Sequence, residues 1–347
     1  MAEASTIEYP FDGKPPFGGL QEVAPGVHWL RLALPYALDH VNVWLLDEED
    51  GAFSLIDCGI GDARTRTVWQ TLFDGPLAGR RCHTLLVTHY HPDHAGNAGW
   101  LSARLGVTVC MPQSEYLTMR VLGLDHSARF VGQMVEHYRA SGIDEAAIQA
   151  VEARGHAYAH AVDPLIDRYS RVHDGQKLRL GGRDWRVIIG LGHAPEMACL
   201  YSERDGILLA ADQILPRISP NISVWPNEPD ADPLAAFLGC AGAFAALPSD
   251  TLVLPSHGRP FIGLHERVHE LVQHHDERLR TVVELCAEPV TVDAVMRDMF
   301  ERQLDIQQTA FALGEAWAHL NYLRLRGRLR LWRDDAGLWR HQQVRAG

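Results

Sequence analysis

The run His89-Tyr90-His91-Pro92-Asp93-His94 puts four side chains able to bind a metal ion into six residues. On extended backbone, residues two apart project to the same side, so His89 and His91 can grip one ion between them. Pro92 then turns the chain, and Asp93 and His94 diverge toward a second ion. Three later residues sit where an apolar strand gives way to a loop and are candidates to complete such a pair of sites. They are His193 in Leu191-Gly192-His193-Ala194-Pro195, Asp212 in Ala210-Ala211-Asp212-Gln213, and His257 in Pro255-Ser256-His257-Gly258. Water shared by two divalent ions loses a proton near neutral pH, while one ion polarises the carbonyl or phosphoryl oxygen under attack. The expected cofactor is therefore two divalent metal ions, with zinc ahead of iron or manganese.

These residues need strands to hold them, and the pattern reads as α/β. Residues 1–25 are rich in Pro and Gly and read as an extended arm. Strands follow at 26–34 and 41–57, the latter broken by a turn at 48–51, and then a helix at 63–73 leads to the apolar strand 84–87 that feeds the His-rich run. Residues 113–162 carry helical spacing and little strand signal, with Phe130, Met134 and Tyr138 at i, i+4 and i+8. Strand pairs return at 177–190 and 198–211, with hairpin turns at Gly181-Gly182 and at 203–206. A long amphipathic helix from Leu264 opens a C-terminal module ordered as helix, helix, helix and hairpin, compatible with a winged helix. This gives a catalytic domain at 1–262 with a helical insertion at about 113–162, and a helical, winged-helix-like domain at 263–347.

Composition narrows the partners. A formal net charge of -12 repels polyanions at long range, which argues against nucleic acid and acidic membranes and for a small-molecule substrate. The six cysteines lie in apolar runs without C-x-x-C spacing, as expected of reduced thiols in a reducing compartment. The N-terminal residues show neither a basic leader nor an apolar segment, and no stretch is long and apolar enough to span a bilayer, so a cytoplasmic location is expected.

The order HxHxDH, then G-H-x-P, then an Asp at a strand end, then P-x-H-G resembles that of the metallo-β-lactamase superfamily over about residues 26–262. The resemblance implies a four-layer αβ/βα sandwich. It also implies that His89, His91 and His193 hold one metal, that Asp93, His94 and His257 hold the other, and that Asp212 bridges them. Asp57, in Leu55-Ile56-Asp57-Cys58-Gly59, matches the D-x-G strand end of the family and would orient the ligand loop from outside the metal shell. Asp93 would also be catalytic, relaying a proton to the leaving group.

Departures narrow the reaction. True β-lactamases of this fold commonly carry Cys where this chain has Asp212, and quorum-quenching lactonases usually carry Tyr where it has Leu215. The chain is closer to glyoxalase II-like hydrolases, although Glu196 stands where those have Gly. The function expected is a binuclear hydrolase acting through a metal-bridging hydroxide on a small ester or thioester. The alternatives are an iron-dependent persulfide dioxygenase and a phosphodiesterase or ribonuclease of the same fold. Arg217 could neutralise a substrate anion, and Tyr138 could face an acyl chain if the helical insertion covers the metals. In similar proteins a C-terminal module of this kind serves packing and homodimer contacts.

Overall fold

The computed structural model describes residues 7–162, 164–300 and 304–344. The first sheet orders seven strands as they occur in the chain: β1 (Leu20–Ala24), β2 (Val27–Ala33), β3 (His40–Asp47), β4 (Phe53–Ile56), β5 (Cys82–Leu86), β6 (Val109–Pro112) and β7 (Tyr169–Val172). β1 to β4 form an antiparallel meander, and β4 to β7 run parallel. Parallel neighbours need long crossovers, and the helices supply them. These are α1 (Ala63–Asp74), α2 (Pro92–Ala95), α3 (Ala98–Leu105), α4 (Gln113–Leu124), α5 (Ala128–Ser141), α6 (Glu145–Arg154) and α7 (Ala157–Ala161). The Asp62 carboxylate caps α1 by accepting the Thr65 N–H at 2.7 Å.

The second sheet contains β8 (Lys177–Leu180), β9 (Arg183–Gly190), β10 (Met197–Ser202), β11 (Ile207–Ala211) and, after α8 (Pro233–Ala245), β12 (Leu252–Pro255). Only β11 and β12 pair in parallel within it. The two sheets face each other across one core, where Trp29, Trp44, Leu46 and Ile56 of the first meet Trp185, Val187, Leu200 and Leu254 of the second. The other face of the first sheet packs on Trp69 and Leu72 of α1 and Leu101 of α3. Covered on both faces, β3 reads His-Val-Asn-Val-Trp-Leu-Leu with no exposed position, an apolar run rather than an alternation.

The chain continues through α9 (Leu264–Leu285), β13 (Val290–Thr291), α10 (Val292–Met299), α11 (Ile306–Leu325), β14 (Leu329–Arg333) and β15 (Trp339–Gln343). Asp305 and Gln308 form a capping box at the start of α11. β13, β15 and β14 make a three-stranded sheet in that order. Among the described residues no helix is long and apolar enough to cross a membrane.

Two compact units result: residues 1–125, 158–220 and 243–268, and residues 126–157, 221–242 and 269–347. The second unit gathers segments far apart in sequence. Trp317 donates its indole N–H to the Ser141 hydroxyl at 2.9 Å, Asn321 donates to the Pro229 and Ala231 carbonyls, and the Gly142 backbone runs against Thr291. The C-terminal arginines are engaged within it: Arg324 with Asp230, Arg326 with Asp232 and the Tyr322 ring, Arg330 over Trp332 and Arg333 over Trp339. The arm expected at residues 1–25 is ordered differently. Leu20–Ala24 is a paired edge strand, and Glu8 exchanges both backbone hydrogen bonds with Ile262. Pro and Gly density had masked a strand of only five residues, and residues 1–6 of that arm lie outside the described ones.

The second unit also buries three imidazoles, His275, His319 and His341. His275 Nδ1 lies 3.3 Å from His319 Nε2, and neither nitrogen of His341 has a hydrogen-bond partner. Burial pushes His275 and His341 down to about 3 and His319 down to about 4. The folded state therefore keeps neutral rings that the unfolded chain protonates below about 6.5. The stability this contributes is present above that value and is lost as pH falls toward the folded values. Glu315, lifted by burial to about 7, acts oppositely between about 7 and 4.5, but it is one carboxyl against three imidazoles. The urea midpoint of this unit, read from the environment of Trp317 beside His341, is expected to fall between about pH 7.5 and 5. His341→Leu should shrink that fall. A midpoint unmoved by acid would refute this account.

Candidate metal centre

The seven metal-binding candidates and Asp57 all follow strand ends. The loop 88–94 follows β5, His193 follows β9, Asp212 follows β11, His257 follows β12 and Asp57 follows β4. β4 with β5 and β11 with β12 are parallel pairs, and β9, like β11, runs antiparallel to β10, so the first sheet delivers two of these loops to one end and the second delivers three. Pro92 opens α2 at its first turn, where its fixed φ favours a helix, and this turn separates Asp93 and His94 from His89 and His91. Among the described residues, only Asp57 (φ 67°) and Ala211 (φ 47°) of the non-glycines have positive φ, and both lie at the site. At Ala211 the pairing with β12 slips register, which aims Asp212 out of the strand.

The side chains assemble in two groups. His89, His91, His193 and Asp212 bring one potential ligand atom each to within 4.8 Å of one another, and Asp93, His94 and His257 do the same. In the first group His89 Nε2 lies 3.1 Å from His91 Nδ1, and His193 Nε2 lies 3.2 Å from Asp212 Oδ2. In the second, Asp93 Oδ2 lies 3.6 Å from His94 Nε2 and 3.4 Å from His257 Nε2. Asp212 reaches both groups. Its Oδ2 faces His193, while its Oδ1 lies 3.5 Å from His94 Nε2 and 3.4 Å from His257 Nε2.

The donor set fits divalent cations. His94 Nε2 and Asp212 Oδ1 are buried with no hydrogen-bond partner, which is costly for polar atoms unless something coordinates them. Burial drives His89 well below its ordinary range and His91 down to about 3, helped by the neighbouring imidazoles, and the neutral ring is the form that coordinates a metal. Burial would also neutralise His94 and His257, yet the carboxylates of Asp212 and Asp93 outweigh it, holding His94 well above its ordinary range and His257 at about 10. Conversely, the His94 and His257 rings keep Asp93 ionised down to about 2 against its burial. The carboxylates draw positive charge to this spot.

Outer contacts fix which nitrogen faces inward. The Asp57 carboxylate accepts the Thr88 N–H at 2.7 Å, the Thr88 hydroxyl at 2.9 Å and His94 Nδ1 at 2.8 Å. His89 Nδ1 meets the Thr88 hydroxyl at 3.0 Å, and His257 Nδ1 donates to the His40 carbonyl at 2.7 Å. In all three rings Nε2 is left for a metal. Sequence reasoning missed His40, whose Nε2 accepts the Gly258 N–H at 2.9 Å and whose Nδ1 lies 2.6 Å from Asp39 Oδ1. It also missed Asn42, which donates to the Pro255 and Gly258 carbonyls. The signal available was two polar residues, His40 and Asn42, in a strand otherwise apolar enough for a core. Glu115 was missed as well.

The two suggested substrate contacts, Arg217 and Tyr138, are not among the residues of the two groups. Arg217 is exposed, its guanidinium 5.8 Å above the Tyr9 ring, which Arg259 also covers at 5.0 Å. Tyr138 is buried on α5 in the second unit, and burial pushes its hydroxyl up to about 12.

Comparison with known proteins agrees with this geometry. Residues 36–257 match the family model described as the metallo-beta-lactamase superfamily, and residues 279–344 match the metallo-beta-lactamase-like C-terminal domain. A β-lactamase domain protein from Burkholderia ambifaria superposes with a TM-score of 0.91 at 42% identity, covering 97% of this chain and 98% of that one. A metallo-β-lactamase family protein from Thermus thermophilus gives 0.78 at 27% identity, covering 93% and 100%. A probable metallo-hydrolase of Bacillus subtilis is 23% identical over 299 residues, which is 85% of this chain and 91% of that protein. With its four ligand-bearing motifs in order and its two sheets face to face, the chain belongs to the metallo-β-lactamase superfamily.

Proposed function

We propose that this metallo-hydrolase acts with two divalent ions, zinc in the first place, on a small ester or thioester. The observation that carries the reading is the position of Asp212, one oxygen toward His193 and the other toward His94 and His257. His89, His91 and His193 would hold one ion, Asp93, His94 and His257 the other, with Asp212 between them. Ions held there supply Lewis acidity, acidifying water and polarising an acyl oxygen. The remaining work belongs to the chain. Asp57, Thr88 and the His40 carbonyl keep the imidazoles in the tautomer that leaves Nε2 free. Asp93 is the more open of the two carboxylates, its side chain 18% exposed against 7% for Asp212, which favours it over Asp212 as the residue that would pass a proton to a leaving alkoxide or thiolate. An Asp at position 212 in place of Cys favours this reading over β-lactam hydrolysis.

The test is metal content of protein purified without added metal, followed by a panel of thioesters, esters, lactones and phosphodiesters. About two zinc-like ions per chain with turnover of a thioester or ester is the expected result. One iron per chain with oxygen uptake on a persulfide would replace the reading with a dioxygenase, and turnover of phosphodiesters alone would replace it with a nuclease or phosphodiesterase.

A further inference from the structure

Glu115 is fully buried, and among the described residues it has no salt-bridge partner. A carboxylate in that position is expensive, so what it binds matters. Its Oε2 accepts the Tyr90 N–H at 2.9 Å, and its Oε1 accepts the Glu196 N–H at 2.6 Å. Tyr90 lies between His89 and His91, and Glu196 lies three residues after His193. One carboxylate thus spans the two loops that carry the three histidines of the first group.

Two further contacts complete the arrangement. The Glu196 side chain returns across the same gap, its Oε2 accepting the Ser114 N–H at 3.0 Å in the first turn of α4. Glu115 therefore caps the Glu196 backbone while Glu196 caps that of Ser114, the residue before Glu115, an exchange like that of a capping box but between segments 81 residues apart. Pro112, at the N-cap of α4, makes no side-chain cap of its own, so Glu196 fills that role. The Tyr158 hydroxyl donates to the Tyr90 carbonyl at 2.6 Å. The Tyr90 residue is held by side chains at both its N–H and its carbonyl.

We infer that Glu115, Glu196 and Tyr158 are positioning residues that set the His89-His91 loop against the His193 loop and so fix the geometry of the first metal, a role resting on the two-ion reading above. Glu115→Gln keeps the size of the side chain but offers an amide N–H to one of the two backbone N–H groups, setting donor against donor and releasing one loop. Tyr158→Phe removes one hydroxyl and frees the Tyr90 carbonyl. Neither change touches a metal ligand or the loop carrying His257.

The experiment strips the full-length protein of metal and titrates zinc back against a chromogenic chelator, with His193→Ala and His257→Ala marking which constant belongs to which group. The melting temperature of each metal-free variant is read in parallel. Glu115→Gln should weaken the first ion about 10–100-fold and Tyr158→Phe several-fold, with the second ion's constant moved by less than about twofold. A buried N–H left facing a donor is costly, so the metal-free melting temperature of Glu115→Gln should fall; the readout that a merely structural role would not move is the selective weakening of the first ion over the second. If Glu115→Gln fails to fold, Tyr158→Phe decides alone. Unchanged constants, or both ions weakened alike, would overturn the assignment. A wild-type protein that takes up no zinc at all would overturn the two-ion reading itself, a result distinguishable from the others.

Discussion

Asp212→Ala is expected to leave a folded protein that retains at most one ion per chain and hydrolyses its substrate roughly a thousandfold more slowly or worse. Among the described residues, Asp212 is the only side chain with one oxygen near each group, so its loss uncouples the two sites and removes the negative charge that His94 and His257 face. Burial would push its carboxyl up, yet the His257 and His94 rings outweigh this and hold it well below the ordinary range. Without it, two buried imidazoles lose their main reason to stay charged and a divalent ion loses an anionic ligand. Asp212→Asn separates charge from shape: it keeps the polar contacts but not the anion, and should retain more metal than Asp212→Ala while remaining nearly inactive. The measurements are metal per chain and kcat/KM on the substrate found by the panel. An Asp212→Ala protein with two ions and normal turnover would remove Asp212 from the bridge.

The centre was legible where its chemistry is written in consecutive residues. His89, His91, Asp93 and His94 declare themselves by spacing, and His193, Asp212 and His257 by standing just past apolar strands. What spacing does not encode is which atom of each ring points inward, because that depends on acceptors distant in sequence. The His257 tautomer is set by the carbonyl of His40, 217 residues earlier. Glu115 was illegible for the same reason. In sequence it is an acidic residue in the first turn of a helix, an ordinary place for one, and its partners Tyr90 and Glu196 lie 25 residues before and 81 after. At the level of the fold, strands of seven or eight residues in apolar runs were readable. The short edge strands β1 and β13 were not, since they owe their state to a neighbour rather than to their own pattern. Nor does local periodicity show that residues 126–157 and 221–242 gather with the C-terminal helices. Trp317 meeting Ser141 is a long-range contact that neither segment announces.

Asp57→Asn is expected to weaken binding of the second ion about 10–100-fold while leaving the first largely in place. Asn tolerates the left-handed backbone at this position, so strain does not confound the change. Its oxygen can still accept the Thr88 N–H, but the amide N–H₂ then faces the Thr88 hydroxyl and His94 Nδ1, where a carboxylate oxygen accepted both. The hydroxyl can turn and accept. His94 can accept only by moving its proton from Nδ1 to Nε2, the atom that faces Asp93 and Asp212. A ring protonated on Nε2 cannot coordinate, so the price of a single isosteric change is one ligand of the second group. Nitrogen-15 shifts of the His94 ring in zinc-loaded protein report the tautomer directly, and the chelator titration reports the affinity. Asp57→Ala goes further, leaving three buried donors without an acceptor and an alanine at φ 67°, and should cost about 3–5 kcal/mol of stability besides. If Asp57→Asn binds both ions normally with His94 Nδ1 still protonated, the carboxylate is not what orients this ring, and the orientation must come from packing of the loop itself.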